Sequence, residues 1–439
     1  DNLHLDTYWF FVPNRLVWKH WKEFCGENTT SKWIPTVEYS VPKVKGRVSS
    51  KVLSGSEMEY WKPGDIADYM GLPINSSDVN TTSTDLLSVN ALPFRGYALI
   101  WNEFFRDQNL QDPVPVDTGD DGLTVDNSDG IPNRICQGSG ILKACKYHDY
   151  FTSCLPSPQK GPDVNIPLSG LAQVVTGSSV TPSNSIPLSF SDITSKQNVG
   201  YLNGNPPDMV NLQPAADSAA NLIPNNLYAS LGSASLGTIN ELRLAFQMQR
   251  IYEKDARGGT RYTEILKNHF GVTSPDARLQ RPEYLGGSRI PININQVVQT
   301  SSTSNTPQGN TAAYSVTADV HSDFTKSFVE HGFIFGLCVA RYDHTYQQGL
   351  ERFWSRTDRF DYYWPSLANI GEQPVKRKEI YCTGIADNDD RVFGYQEAWA
   401  DYRFKPSRVA GELRSRVPNT LDVWHLADNY NGSPFLSAE

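Results

Sequence analysis

The sequence predicts a mainly β protein, a β-sandwich or jelly roll broken by long insertions and carrying a few helices. Three observations lead there. Strand-like stretches lie scattered among long irregular connections. No βαβ alternation and no internal repeat is visible. One segment, residues 155–237, departs in composition from everything around it.

Taken in order, residues 1–12 read as a strand, with the dense apolar block Tyr8-Trp9-Phe10-Phe11-Val12. Pro13-Asn14 then opens a short helix. Val17, Trp18, Trp21, Phe24 and Cys25 follow i, i+3/i+4, i+7 spacing, and Gly26 fits the stop. Residues 36–53 alternate loosely and suggest a strand. Residues 94–107 predict a helix with Tyr97, Ile100, Trp101, Phe104 and Phe105 on one face. Residues 112–130 form an acidic loop rich in Gly and Pro, with Asp117, Asp120, Asp121, Asp126 and Asp129. The spacing lacks the bidentate Glu of an EF-hand, so a solvated loop is expected and no metal is assigned.

Residues 155–237 hold ten of the 28 prolines and only six charged residues: Lys160, Asp163, Asp192, Lys196, Asp208 and Asp217. A disordered polyelectrolyte would be highly charged. Low charge with dispersed apolar residues predicts a long insertion that packs against something. The pattern tightens at Thr238-Ile-Asn-Glu241, a capping box in which hydroxyl and carboxylate each satisfy a free backbone N–H. A helix follows to Gly258-Gly259, with Leu242, Ala245, Phe246 and Tyr252 on one face. A second carries Tyr262, Ile265, Leu266, His269 and Phe270, with Gly271 as its C-cap. Strands are then expected at 289–299, 313–321, 331–342 and 377–385. Between them lie aromatic, Arg-rich connections such as Phe353-Trp354-Ser355-Arg356 and Tyr362-Tyr363-Trp364-Pro365.

Hydrophobic residues make up 39% and charged residues 20%, enough apolar material for a core. The 11% aromatic content suits extensive buried or interfacial packing. Net charge is −9, so any nucleic-acid contact must be local. The acidity is uneven: residues 1–237 carry 16 basic and 24 acidic groups, residues 238–439 carry 23 and 24. Cys25, Cys136, Cys145, Cys154, Cys338 and Cys382 include no C-x-x-C pair, which predicts reduced and mostly buried thiols. The longest apolar run, 332–340, is too short to cross a bilayer, and no membrane insertion is expected. The chain starts at Asp1 and runs at once into a strongly apolar block, which reads as an internal piece of a longer chain.

Nothing nominates an enzyme. No Walker A, dinucleotide-binding, nucleophile-elbow or zinc-protease motif occurs. His148-Asp149 and Asp343-His344 are adjacent acid–base types, but neighbours in sequence usually point apart, and a hydrogen-bonded structural His is the simpler reading. Asp387-Asn388-Asp389-Asp390 reads as a turn. No catalytic, cofactor or metal residue is therefore assigned. Residues 241–289 carry nine Lys/Arg against six acids. Ordinary helix surface with i, i+4 pairs accounts for most of that. In Asp255-Ala-Arg-Gly-Gly-Thr-Arg261, however, two arginines flank a tight glycine turn. Arg257, Arg261, Arg278 and Arg281 are the candidates for assembly or DNA contact, with truncation of Arg257 or Arg261 expected to impair assembly more than monomer folding.

Several stretches carry a family resemblance. They are Asp1-Asn-Leu-His-Leu-Asp6 with Phe11-Val-Pro-Asn-Arg-Leu-Val-Trp18, Ile100-Trp-Asn-Glu-Phe-Phe-Arg-Asp-Gln-Asn-Leu-Gln-Asp112, and His148-Asp-Tyr-Phe-Thr-Ser153. To these add Asp255-Ala-Arg-Gly-Gly-Thr-Arg-Tyr262, Thr273-Ser-Pro-Asp-Ala-Arg-Leu-Gln-Arg-Pro-Glu-Tyr-Leu-Gly-Gly287, Ser327-Phe-Val-Glu-His-Gly332 and Tyr363-Trp-Pro365. Together they resemble the major capsid proteins of the Microviridae, in particular the gokushovirus group. The resemblance implies an eight-stranded viral jelly roll with long inter-strand insertions. It implies self-assembly into a T = 1 icosahedral shell of sixty copies around circular single-stranded DNA, made in the bacterial host cytoplasm. The implied partners are a small basic DNA-binding protein, pilot and scaffolding proteins, and a host surface receptor.

The implied division is a first core part at 1–160, a surface insertion at 161–237 and a second core part at 238–439. The insertion is where the sequence leaves the family pattern, and it is the candidate for a threefold protrusion used in host attachment. The alternatives are a receptor- or carbohydrate-binding β-sandwich spike protein without genome packaging, and a glycan-cleaving enzyme with two carboxylates in a cleft.

Overall fold

The computed structural model describes residues 3–28, 37–46, 61–74, 86–121, 134–164, 239–305 and 307–438, with short strands between 123 and 236. The chain divides into two compact units, Asp1–Lys160 with Glu253–Glu439, and Gly161–Tyr252. Its strands form small sheets of two to four members, so the protein is mainly β with a few helices.

In the first unit, strand Leu3–Pro13 lies between Glu283–Pro291 and Gly332–Tyr342, antiparallel to both. Its side chains alternate. Tyr8, Phe10 and Val12 face a core shared with Trp18, Trp61, Ile135, Phe335 and the helix Leu92–Ile100. Phe10 and Val12 are buried, and the ring of Phe10 stands 4.6 Å from Phe104. The helix packs close because Gly96 carries no side chain: a Cβ there would fall 2.6 Å from the Phe335 ring. Gly96→Ala is therefore expected to cost about 1–3 kcal/mol through overpacking. An unchanged denaturation midpoint would refute that fit.

Asp6 ties the sheet to the segment after the helix. It is buried and accepts from Tyr147 Oη at 2.5 Å, Arg289 Nε at 3.1 Å and Arg341 Nη1 at 3.1 Å. Burial pushes its carboxyl up, and these donors more than offset that, holding it below the usual range. Arg289 also lies 3.9 Å over the Tyr147 ring. A second apolar cluster forms around Tyr150, Phe151, Tyr346, Val375 and Ile380.

The second unit is a nested antiparallel ladder. Leu168–Ser169 pairs with Ser235–Leu236, Gln173–Thr176 with Leu227–Ser230, and Ser189–Asp192 with Leu222–Pro224. Asn198–Asn205 then pairs with both Ser189–Asp192 and Met209–Pro214. The segment thus runs out and returns along itself, and its two ends meet on one ladder.

Several expectations change. The 13–25 helix is two single turns, Asn14–Val17 and Trp21–Phe24, because Trp18 is extended and turns its indole inward to donate to Asp120 Oδ1 at 2.6 Å. Of the expected 36–53 strand, Lys43–Gly46 forms, while 47–53 lies outside the described residues. The 94–107 helix starts at Leu92 and ends in a wider turn, Trp101–Phe105. Thr238 of the capping box lies outside the described residues; the helix after it spans Ile239–Gly258. Tyr262–Phe270 is helical, closed by Gly271 in the left-handed region at φ 68°.

The 289–299 stretch splits into Glu283–Pro291 and Ile294–Val298, and the strand expected at 313–321 forms earlier and shorter, at Thr311–Ser315. Residues 377–385 form no strand. Pairing stops at Lys376, whose N–H donates to Glu379 Oε1 at 3.0 Å, and Arg377–Ile380 turns into a short helix. The cysteines are all free, but only Cys136 and Cys154 are buried, while Cys25, Cys338 and Cys382 are exposed.

Candidate assembly surface

Residues 352–367 wind through three short 3-10 turns, Arg352–Ser355, Arg359–Asp361 and Pro365–Leu367. The sequence dictates each turn locally. Asp361 Oδ2 accepts from the backbone N–H of Thr357 and Asp358, both at 2.9 Å. Those two donors hold its carboxyl below the usual range. Trp364 precedes Pro365 and is extended, as the proline ring requires of its neighbour.

Arginines anchor the segment from behind. Arg352 reaches Glu379 at 3.1 Å and Gln373 at 3.2 Å, and also donates to the Pro374 carbonyl. Glu379 is buried and accepts from Tyr150 Oη at 3.0 Å. Arg356 pairs with Asp401 and lies 4.2 Å over the Tyr402 ring. Trp399, backed into the left-handed region at φ 64°, donates from Nε1 to the Leu367 carbonyl at 2.9 Å. Its ring meets Tyr363 edge-on at 5.8 Å.

The outward side is aromatic. Trp354 is 69% exposed, Phe360 58% and Trp364 49%, and Tyr362, Tyr363, Tyr402 and Phe404 are similarly open. Trp364 is oriented by its Nε1 donating to the Arg359 carbonyl at 2.8 Å. Large rings held by internal hydrogen bonds lose little freedom when a partner covers them. A run of exposed aromatics of this kind has the composition of a protein–protein interface core.

The four candidate arginines part company. Arg257 pairs with buried Glu372 and lies 3.7 Å from Glu397. Burial pushes the Glu372 carboxyl up, and Arg257 opposes that. Arg261 stands at the N-cap of its helix, its backbone N–H donating to Glu264 Oε2 at 3.2 Å, and donates through Nη2 to the carbonyls of Asn102 at 3.1 Å and Arg106 at 2.9 Å. Arg281 pairs with Asp276 at 3.2 Å, donates to Thr263 Oγ1 at 2.9 Å and sits 4.2 Å over Phe104. Arg278 is exposed, and among the described residues no partner meets its guanidinium. Arg261 and Arg281 converge on the Asn102–Arg106 turn; Arg278 does not join them. Sequence reading missed Arg352, Arg356 and Trp399 as the supports of the aromatic face. The signal was their alternation with aromatics, which marks the patch but not which members point inward.

Neither acid–base neighbour pair works as a pair. Asp149 accepts from Phe151 N, Thr152 N and Tyr346 Oη, and so anchors a turn. His344 meets Asp428 at 3.0 Å rather than Asp343. Asp389 accepts from Thr383 and Gly384 in a tight turn. Asp117 and Asp120 of the acidic loop serve Gly119, Trp18 and His20, while Asp126 and Asp129 lie outside the described residues. No described helix is long and apolar enough to cross a membrane.

Comparison with known proteins gives one consistent result. The family described as Capsid protein (F protein) matches residues 1–439. The chain is 44% identical over 450 residues to Capsid protein VP1 of Spiroplasma virus 4, covering all of this chain and 78% of that protein. It is 41% identical over 450 residues to Capsid protein VP1 of Bdellovibrio phage phiMH2K, covering all of this chain and 77% of that one. Capsid protein VP1 of Chlamydia phage 1 is 40% identical over 493 residues, with 80% of its length covered.

Proposed function

This chain belongs to the Capsid protein (F protein) family of Microviridae phages, and from that premise we propose that it closes into a T = 1 shell of sixty copies around circular single-stranded DNA. It is a structural protein of the virion capsid and not an enzyme. The observation that carries the assembly reading is the outward aromatic face of residues 353–364, anchored by Arg352, Arg356 and Trp399. Each copy buries that face against a neighbour, and closed symmetry lets modest contacts sum. The jelly roll is the fold that fits a shell of this family. The antiparallel strands Glu283–Pro291, Leu3–Pro13 and Gly332–Tyr342, far apart in sequence and adjacent in space, support it as part of one layer.

Of the four candidate arginines, Arg278 is the one whose side chain is open to a neighbour's carboxylate or to DNA phosphate. Arg257, Arg261 and Arg281 act in assembly by holding the Ile239–Gly258 and Tyr262–Phe270 region in shape. The insertion, residues 161–237, forms the threefold protrusion and meets the host receptor. Its low charge and its out-and-back ladder support that assignment. The small basic DNA-binding protein and the pilot and scaffolding proteins complete the proposed set of partners.

The test is a particle reconstruction with genome density, made for the natural chain and for a deletion of residues 161–237 bridged by a short linker. The paired ends of the ladder make the bridge geometrically easy. Sixty-copy shells that lose density only at the threefold axes are expected. Protrusions that persist in the deletion would overturn the insertion assignment, and absence of closed particles from the natural chain would overturn the shell.

A further inference from the structure

We infer that the hairpin formed by Ile294–Val298 and Thr311–Ser315 in one copy lies along the free edge of strand Gly332–Tyr342 in a second copy. This rests on the shell reading above and adds a specific joint to it.

The receiving edge comes first. Among the described residues, strand Gly332–Tyr342 is paired on one side only, by Leu3–Pro13, in an unbroken register. Its other edge walls an apolar groove of about 800 Å³. Seven consecutive strand residues, Phe333–Val339, line that groove, facing Tyr97, Phe105 and Ile141. Consecutive lining places the backbone edge, and not one face of the strand, at the groove. None of the described lining residues is charged. Soluble proteins normally protect such an edge with charge, proline or a bulge. Phe333–Val339 has none of these.

The hairpin is the matching part. Every residue of its two strands except Thr311 is exposed. Ile294, Val297, Val298 and Tyr314 are each about half open to solvent. A two-stranded ribbon with both faces in water is marginally stable alone. Residues 290–318 contain no Lys, Arg, Asp or Glu. Burying a charge would cost several kcal/mol, and neither surface carries one. Five paired residues span about 17 Å, within the roughly 23 Å of edge that seven residues offer. Main-chain hydrogen bonds across that edge supply affinity, and the groove accepts alternate side chains.

The occupant is a second copy of this chain. No described hairpin residue lines the groove of its own copy. A contact of one patch with a different patch on a neighbour is head-to-tail, and such contacts close into a ring where the rotation between copies closes.

Cys338 provides the test, because its thiol is free, exposed and in the groove wall. Val297→Cys, Tyr314→Cys and Val316→Cys are made one at a time in the full chain. Assembled particles are then oxidised and run on a non-reducing gel. At least one variant should give a chain dimer that disappears when Cys338→Ser is added and is absent from the dilute, unassembled chain. Particles that give no such dimer at any of the three positions would overturn the inference. So would a dimer that survives Cys338→Ser, an intrachain bond to Cys338, or a particle map with another part of the same chain in the groove. Tyr314→Asp supplies an independent reading. Particle yield should fall roughly tenfold or more with the monomer's melting unchanged, and undiminished yield counts against the joint. Failure of the natural chain to form particles at all would instead sink the shell reading.

Discussion

A chain carrying both Trp354→Ala and Trp364→Ala should fold normally and fail to assemble. Both rings stand largely outside the core, so little folding energy is lost with them. Buried between copies they would be the anchors of the contact. Tryptophans in that role commonly cost 2 kcal/mol or more each when truncated. Two of them weaken each contact by roughly 1,000-fold, since 1.4 kcal/mol is a factor of ten. The check compares melting of the unassembled chain with particle yield at equal concentration. Normal yield would mean that the aromatic face is not where copies meet. Loss of melting together with yield would mean that the rings hold up the fold instead.

Much of this protein was legible in its sequence, and the gaps have separate physical causes. The helix over 262–270 and the strand over 331–342 follow from period and caps that act within a few residues. Pattern reading assumes that apolar residues face the chain's own core. Here Trp354, Phe360 and Tyr314 are apolar and outside. The Trp18 stripe failed differently: Asp120, far along the chain, accepts from its indole and pulls it out of helical register. The 377–385 strand failed because Glu379 reaches back to the Lys376 N–H and closes a turn. Arg257 and Arg261 were picked out as assembly or DNA-contact candidates beside a glycine turn, and the structure shows both engaged within the chain. What holds them, Glu372 and the Asn102 and Arg106 carbonyls, lies more than a hundred residues away and leaves no local trace.

Asp6→Ala is expected to lower stability by about 3–5 kcal/mol. The carboxylate is almost wholly buried between Arg289 and Arg341, and removing one member of a buried pair leaves the other charge uncompensated. Arg289 is half exposed and can turn to water, whereas Arg341 is largely enclosed and has less access to it, so the loss falls mainly on Arg341. The pH dependence carries its own sign. Because the folded carboxyl titrates below its usual value, its contribution is complete above the unfolded pKa of about 3.9 and is lost as pH falls through the folded value. The natural chain should therefore lose stability on acidification below about pH 4, and Asp6→Asn should lose less of it. Denaturation midpoints at pH 7 and pH 3 for the two chains measure this. Parallel losses in both would remove Asp6 as the cause.

The internal anchoring of residues 352–367 also bears on curvature. A face whose turns are pinned by Arg352, Arg356 and Trp399 does not reshape itself when it meets a partner. In the proposed joint it would transmit one angle from copy to copy, where a compliant loop would transmit a spread of angles. Angular error adds up around a closed surface, and a small spread at each joint becomes a mixture of radii and open fragments. In the proposed shell, pinning from behind would therefore favour a uniform particle size.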